Sequence, residues 1–338
     1  MRVCFIAVTE PTPKYLNMLR ALLYSFRKNA GIYKDAPFTV VTNGTNISEQ
    51  ELSLIQGQFS PINVRIMPRL GSTPFANKFH ALYGVDESTY DVLVYLDCDV
   101  VILEALDKIT EGLDPEKPCI KAKGIGKEVS TRIIGYDRLI KHYGNLTEDQ
   151  LQTYKSEEFN IGYPLFNAGI YALTKKAVLA IRDDAIKICH NLHERQTPKT
   201  IKDLLRLQYY KYLIENYLRE KKGSEQPYWI RSVARYLLPK NAVYYPQGQT
   251  EQMGLALAVL KHKVPFQMLD KTFNWTSQQL MPNGKLPAAL HYMKGIYSDI
   301  DREHLFAGDW IENYLNNEYA TKKALANIIN CYNSEVKN

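Results

Sequence analysis

The stretch that decides the fold is VLVYLDCDVVIL, residues 92–103. Five apolar residues, Val92–Leu96, lead into two acids one residue apart, Asp97 and Asp99, and a second apolar run follows. A continuous apolar run of this length favours a strand that is buried on both faces. Two acids at its end repel each other unless they face water or a cation lies between them. Carboxylate oxygens suit Mg²⁺ or Mn²⁺, so the sequence predicts a metal site at this strand end.

Strand and helix patterns alternate before this stretch. Apolar runs at 3–9, 38–42 and 63–67 read as strands, and Leu16, Leu19, Leu22, Leu23 and Phe26 repeat at helical spacing between the first two. Such alternation predicts an α/β fold in which helices cover both faces of a parallel sheet. Ligands of these sheets bind at the carboxyl ends of the strands. We therefore expect Thr9, after the first strand, and the Asp97–Asp99 motif to border one crevice.

The later part of the chain is less regular. Apolar runs predict strands at 166–173, 242–245, 266–269 and 288–292, and a helical pattern covers 252–261. The segment from 174 to about 222 reads as mainly helical with a break at Pro198, and 310–332 reads as a terminal helix. Residues 128–158 are polar, and we expect a loop and a helix there.

The charge of the chain is concentrated in one segment. The net charge is +6, yet residues 175–240 contain 15 Lys and Arg against 7 Asp and Glu, or +8, which leaves −2 for the rest. Such a segment is either a solvated helical face or a contact surface for an anionic membrane or an anionic glycan. A nucleic-acid partner, which the charge alone would also suit, is not predicted.

Cysteine usage and apolar run length indicate the compartment. Five scattered cysteines fit reduced thiols better than a disulfide framework. The first apolar run is only six residues long and ends at a Pro-rich turn, which favours a strand over a secretion signal. No window approaches 18 apolar residues. We therefore expect a cytoplasmic protein, with membrane contact at its periphery through the basic segment.

Several short motifs together resemble one enzyme family, in that family's order. The chain resembles the GT-A glycosyltransferases of glycosyltransferase family 8, which contains glycogenin and the lipopolysaccharide galactosyltransferases and glucosyltransferases. The resemblance spans most of the chain. The matching segments are Val8, Thr9 and Tyr15 at the start, Lys78 in NKF (77–79), DCD (97–99), FNAG (166–169), EQ (251–252), FNW (273–275) and HY (291–292).

The resemblance implies a fold and a division of the chain. The fold is a GT-A, Rossmann-like mixed sheet with helices on both faces and a helical insertion. The chain is then a single domain over 1–338. Its parts are a nucleotide-binding half (1–103), a donor-sugar and acceptor half (104–305) with the helical insertion at about 175–240, and a C-terminal helical segment (306–338).

The resemblance also implies a reaction, the transfer of a hexose from a UDP-sugar to a glycan, lipid or protein acceptor with retention of configuration. Asp97, Asp99 and His291 would hold Mn²⁺ or Mg²⁺, and the imidazole would add a nitrogen ligand to two carboxylates. The remaining implied contacts are Val8, Thr9, Tyr15 and Cys98 to the nucleotide, Lys78 to the sugar and the diphosphate, Lys294 to the diphosphate, and Asn167, Glu251 and Gln252 as catalytic residues around the sugar.

The sequence departs from the family pattern at two points. Glu251 stands where the family has Asp, so its carboxylate reaches one methylene further. The family's Gly-x-x-Lys-Pro-Trp after the histidine is replaced by YMKG (292–295), in which Lys294 takes the basic position.

Two other functions remain open at this point. Haloacid-dehalogenase-type phosphatases also place Asp-x-Asp after a buried strand, with the first Asp as nucleophile and the second as general acid. That motif usually opens its domain and continues into a polar turn, whereas this one follows three strands and continues with Val100 and Val101. The other alternative is a catalytically idle protein that binds nucleotide sugars.

Overall fold

The computed structural model describes residues 1–43, 47–70, 74–125, 133, 135–159, 162–197, 199–219, 243–293 and 296–336. The strands are β1 Val3–Thr9, β2 Phe38–Asn43, β3 Ile62–Met67, β4 Val92–Leu96, β5 Val100–Ile102, β6 Ile120–Gly124, β7 Phe166–Thr174, β8 Phe266–Met268 and β9 Ala289–His291. The helices are α1 Pro13–Asn29, α2 Glu49–Phe59, α3 Tyr136–Gly144, α4 Glu148–Thr153, α5 Lys175–Gln196, α6 Ile201–Arg219, α7 Thr250–Lys261, α8 Trp310–Leu315 and α9 Ala320–Val336.

Seven strands form one mixed sheet in the order β3-β2-β1-β4-β7-β6-β8. The strands predicted from the first third of the chain are parallel: β1 pairs with β2 and β4, and β2 pairs with β3. β7 runs antiparallel to β4, with Val92 opposite Thr174 and Leu96 opposite Ile170. The prediction of a purely parallel sheet from strand–helix alternation is therefore wrong. The mixed sheet that the family resemblance implies is confirmed.

A small second sheet continues from the acidic motif. β5 pairs antiparallel with β9, and Val100 lies opposite His291. The backbone N–H of Tyr292 donates to the carbonyl of Asp99 over 2.9 Å. This pairing brings a residue from late in the chain next to the end of β4.

Both faces of the sheet near β1 and β4 are covered. Phe5 and Ala7 of β1 pack into one core cluster with residues of α1, α2, α8 and α9. Ile6 lies on the opposite face, against the 3₁₀-helical segment Pro74–Leu82 and the turn after it, where a Cβ on Gly84 would lie 2.8 Å from Ile6 Cδ1. Side chains alternate along a strand, so this division follows from the two-residue period. The segment Pro74–Leu82 is a 3₁₀ helix, which is tighter than an α-helix.

The chain divides into two compact units. The first unit comprises Met1–Lys123, Ala168–Ala180 and Val264–Asn338, and it holds nearly all of both sheets. The second comprises Gly124–Asn167 and Ile181–Lys263, which include α3, α4, most of α5, α6 and α7. The single-domain division into 1–103, 104–305 and 306–338 stays a prediction.

The helical predictions for the later chain are confirmed where residues are described. The segment predicted as helical from 174 forms α5 and α6, and the terminal segment forms α8 and α9. Residues 220–240 of the basic segment lie outside the described residues. No helix among the described residues is both long and apolar enough to cross a membrane.

Candidate metal and nucleotide site

The two acids lie at the carboxyl end of a fully buried strand. All five residues of β4 are buried, and the side chains of Asp97 and Asp99 are 15% and 22% exposed. The backbone N–H of Asp97 donates to the carbonyl of Gly169 on β7 over 2.8 Å, and Val100 N–H donates to the Asp97 carbonyl over 3.1 Å. Backbone hydrogen bonds from two sides therefore fix the turn that carries both carboxylates.

His291 completes a cluster of three candidate metal ligands. One ligand atom each from Asp97, Asp99 and His291 lies within 4.8 Å of the other two. His291 Nε2 is 3.1 Å from Asp99 Oδ1, and its side chain is only 7% exposed. Two carboxylates and one imidazole, converging at the edge of a pocket, form a donor set that fits Mn²⁺ or Mg²⁺. The three residues that the family resemblance assigns to a metal therefore lie together in the structure.

The other ring nitrogen of His291 has a partner of its own. Nδ1 lies 3.3 Å from Oδ1 of Asn274. An amide oxygen only accepts, so this contact requires the proton on Nδ1 and leaves Nε2 facing Asp99. Asn274 is fully buried, and Lys123 Nζ donates to its backbone carbonyl over 2.6 Å.

Lys78 is the cation nearest to Asp97. Its ammonium lies 2.5 Å from Asp97 Oδ2, and both side chains are partly exposed to the pocket. The other oxygen, Oδ1, accepts from the backbone N–H of Cys98 over 3.1 Å and from Tyr95 O–H over 3.3 Å. The lysine predicted from the triplet NKF thus lies at the acidic motif, as expected.

The charge balance favours an ionised Asp99. Burial is the largest single effect and opposes ionisation, but His291, Lys78 and Arg302 together outweigh it, so the pKa of Asp99 is held below its ordinary value. Arg302 is 6% exposed and donates to the carbonyls of Tyr292 and Tyr297 over 2.5 and 3.3 Å. Sequence reasoning missed Arg302, because nothing in its local pattern marks a buried cation.

Cys98, between the acids, has a structural contact. Its thiol donates to the carbonyl of Val8 on β1 over 3.2 Å. Burial, first, and the carboxylate of Asp97 raise the pKa of this thiol, so it stays protonated. A protonated thiol is a poor metal ligand, which leaves Cys98 to join the acidic motif to β1.

A pocket of about 220 Å³ opens beside the acids. The end of β1, the start of α1, the end of β2 and the segment Pro74–Leu82 supply its walls. The lining residues are Val8, Thr9, Glu10, Tyr15, Met18, Asn43, Asn77, Lys78, Asp97, Cys98 and Asp99. The cavity with the two acids therefore also contains five residues that the sequence predicted as donor contacts: Val8, Thr9, Tyr15, Lys78 and Cys98.

Asn43 is a pocket residue that the sequence did not single out. Its side chain is 7% exposed, and neither Nδ2 nor Oδ1 has a hydrogen-bond partner. A buried amide without partners is costly, which suggests that a ligand supplies them. The dipeptide Asn43-Gly44 is locally a turn signal. Only the placement of β2 next to β1 shows that Asn43 lines the pocket.

Of the four remaining predicted site residues, three belong to the second unit and one is not described. Asn167 is buried on β7, Glu251 is buried in the first turn of α7, and Gln252 is half-buried beside it. All three belong to the second unit, and their roles stay predictions. Lys294 lies outside the described residues.

Comparison with known proteins identifies the fold. No protein-family model and no curated protein sequence matches the chain. Among solved structures, it is similar to the galactosyltransferase LgtC in complex with donor and acceptor sugar analogues, with a TM-score of 0.51, 14% identity, and coverage of 97% of this chain and 95% of that one. It is also similar to the bifunctional glycosyltransferase WbbM, with a TM-score of 0.50 and 13% identity.

The match to WbbM covers 95% of this chain and 51% of WbbM, so the chain spans about half of that protein. Both matches extend over almost the whole of this chain, and they agree with the mixed seven-stranded sheet. The resemblance drawn from the sequence motifs is confirmed at the level of the fold: this chain has the GT-A glycosyltransferase fold.

Proposed function

We propose that this protein is a metal-dependent glycosyltransferase that moves a hexose from a UDP-sugar to a glycan, lipid or protein acceptor. The observation that carries the proposal is the cluster of Asp97, Asp99 and His291, whose two acids line one pocket together with Thr9 and Tyr15. Ligands with both a base and a pyrophosphate need such a combination of a cation site and an adjoining cleft.

Asp97, Asp99 and His291 are the residues that would hold Mn²⁺ or Mg²⁺. When bound there, the ion would offset the negative charge of the nucleoside diphosphate leaving group. Asn274 would keep the His291 ring in the orientation and tautomer that point Nε2 at the ion. Stabilising a leaving group in this way requires no covalent bond from the protein.

Lys78 would add a second positive charge. Its ammonium already lies at hydrogen-bond distance from Asp97 and faces the pocket. A partly exposed lysine on a flexible stem can share its donors between a carboxylate and a phosphate oxygen. We expect Lys78 to contact the diphosphate rather than the sugar.

The far wall of the pocket would hold the base. Burial, together with Glu10 and the acids, raises the pKa of Tyr15, so its hydroxyl remains a donor at neutral pH. The amide of Asn43 offers one donor and one acceptor side by side, which complements the N3–H and a neighbouring carbonyl of uracil. These features support a uridine nucleotide.

The comparisons support a sugar donor and a sugar acceptor, because LgtC was solved with analogues of both. The retention of configuration and the sugar contacts of Asn167, Glu251 and Gln252 rest on the family resemblance. The phosphatase alternative is less favoured, because the strand β5 follows the motif at Val100 where a phosphate-binding loop would be needed.

A panel of UDP-sugars incubated with the protein and Mn²⁺ tests the proposal. We expect slow release of UDP from one sugar donor, loss of release when the metal is chelated, and no hydrolysis of a generic phosphomonoester. UDP binding without release from any donor would support the idle binding protein instead. Phosphomonoester hydrolysis that disappears in Asp97→Asn would support the phosphatase.

A further inference from the structure

One helix of the second unit exposes an unusual apolar stripe. Among the described residues, eleven large apolar side chains are exposed, and five of them fall within the first twelve residues of α6. Ile201, Leu205 and Tyr212 are 78%, 65% and 65% exposed, and Leu204 and Tyr209 are 44% and 40% exposed. At about 100° per residue, these five positions span an arc of roughly 140° on one side of the helix.

The opposite side of α6 is the one that packs onto the protein. Tyr210 is 8% exposed, and Asp203 and Leu207 are half-buried; all three lie across the helix from the stripe. The helix therefore buries one face against the protein, and the exposed apolar stripe is not needed for that packing. Contiguous exposed apolar groups of this kind mark interaction sites.

Positive charges border the stripe. Lys202 lies along one edge of the arc and Lys211 lies along the other, and both are exposed. Arg206 is exposed farther round the helix, on the side of Asp203. Lys199, just before the helix, is exposed as well. The acid in this stretch, Asp203, accepts from the Thr200 hydroxyl at the helix start over 2.9 Å and pairs with Arg206 over 3.3 Å. Residues 199–212 carry four Lys and Arg and one Asp, a balance of +3.

We propose that α6 is a docking helix for an anionic lipid surface, with Ile201, Leu204, Leu205, Tyr209 and Tyr212 entering the headgroup region. An apolar arc bordered by Lys and Arg is the pattern of helices that lie in the plane of a membrane interface. Lysine and arginine stems extend along apolar surface while their charges reach the headgroups. A protein partner would need no cationic border on both sides, so the charge favours lipid.

This inference goes beyond the transferase activity and does not depend on it. The basic segment predicted from the sequence spans 175–240, whereas the structure reduces the contact surface to one side of one helix. The consequence is that apolar contacts and charge should contribute separately to binding, since different residues supply them.

Sedimentation of the full-length protein with lipid vesicles tests the proposal. We expect binding to vesicles of phosphatidylglycerol and phosphatidylcholine, and at least tenfold weaker binding to pure phosphatidylcholine. The change Leu205→Glu should reduce binding at least tenfold. The pair Lys199→Gln and Lys202→Gln should reduce it by about fivefold for each charge removed and flatten its dependence on salt.

Ile32→Glu is the matched control, because Ile32 is 72% exposed in the first unit and the change removes the same kind of group. It should bind like the wild type. Failure of the wild type to sediment with anionic vesicles would overturn the proposal, and so would equal binding by Leu205→Glu or by the lysine pair. Dimerisation in the absence of lipid that Leu205→Glu abolishes would assign the stripe to a second copy of the chain instead.

Discussion

His291 Nε2 lies 3.1 Å from Oδ1 of Asp99, although the two residues are 192 positions apart in the chain (291 − 99 = 192). The pairing of β5 with β9 creates this proximity, because it sets Val100 opposite His291. The two residues are held by backbone hydrogen bonds on both strands, so the imidazole and the carboxylate remain near each other whatever the ligand. The proximity of these two side chains depends on the fold rather than on local sequence.

The first prediction concerns Asp99. Asp99→Asn removes one anionic ligand and leaves the shape of the side chain almost unchanged. We expect the affinity for UDP in the presence of Mn²⁺ to fall by at least tenfold, measured by calorimetry. Asp301→Asn is the control, because Asp301 forms a similar pair with His304 over 2.8 Å at an exposed position. Unchanged affinity in Asp99→Asn would argue against a role for this carboxylate.

The second prediction concerns Asn274 as a positioning residue for His291. Asn274→Leu keeps the number and branching of the side-chain heavy atoms and removes the acceptor for Nδ1–H. Partners of ligating histidines typically change metal affinity by about 10–100-fold, so we expect Mn²⁺ binding to weaken by that factor. Electron paramagnetic resonance of Mn²⁺ titrated into the protein measures this without any turnover. Metal affinity equal to wild type in a folded Asn274→Leu protein would show that the contact does not matter.

The third prediction concerns base recognition by Asn43. Asn43→Leu removes the amide that has no internal partner, and it should weaken UDP binding by about 5–150-fold, the cost of one unpaired buried polar group on the ligand. The ratio of UDP to CDP affinity is the internal control. A general loss of folding lowers both affinities, whereas loss of base reading lowers the ratio. A ratio that stays at the wild-type value would mean that Asn43 does not read the base.

The fourth prediction concerns the pH dependence of stability through Lys123. Burial, with Lys271 nearby, lowers the pKa of Lys123 from its ordinary 10.5 to about 8. Between these values the unfolded chain binds more protons at this position than the folded protein does. The contribution of Lys123 to the free energy of unfolding should therefore rise as the pH increases from about 8 to 10.5.

Lys123→Met removes that contribution. Urea denaturation of both proteins at several pH values in this range gives the difference in unfolding free energy, in which titrations common to both proteins cancel. We expect the wild type to gain stability relative to Lys123→Met as the pH rises. A difference that stays constant would show that Lys123 is not desolvated in the folded state.

The sequence predicted the elements that depend on local pattern. The apolar run of β4 and the periodicity of α1 were both confirmed. The acidic motif was placed correctly because a buried strand followed by two acids has few physical explanations. Local signals suffice where a feature forms within a few residues.

Features that depend on distant contacts were less predictable. The antiparallel direction of β7 depends on the path of the chain between β6 and β7. The apolar sequence of a strand does not indicate its direction in the sheet. Contacts with residues far along the chain place Arg302 near the acids. Similar contacts place Asn43 in the pocket. Only the family resemblance, not the local pattern, predicted His291 as a metal ligand, since a lone histidine in an apolar strand is more often part of the core.

The most direct test of the central claim is a crystal structure of the protein soaked with UDP and Mn²⁺, with anomalous diffraction to locate the ion. We predict an anomalous peak bonded to Asp97, Asp99 and His291, with diphosphate oxygens completing its coordination and the uracil in the pocket lined by Thr9 and Tyr15. A structure in which UDP binds while the carboxylates of Asp97 and Asp99 contact no metal would contradict the account.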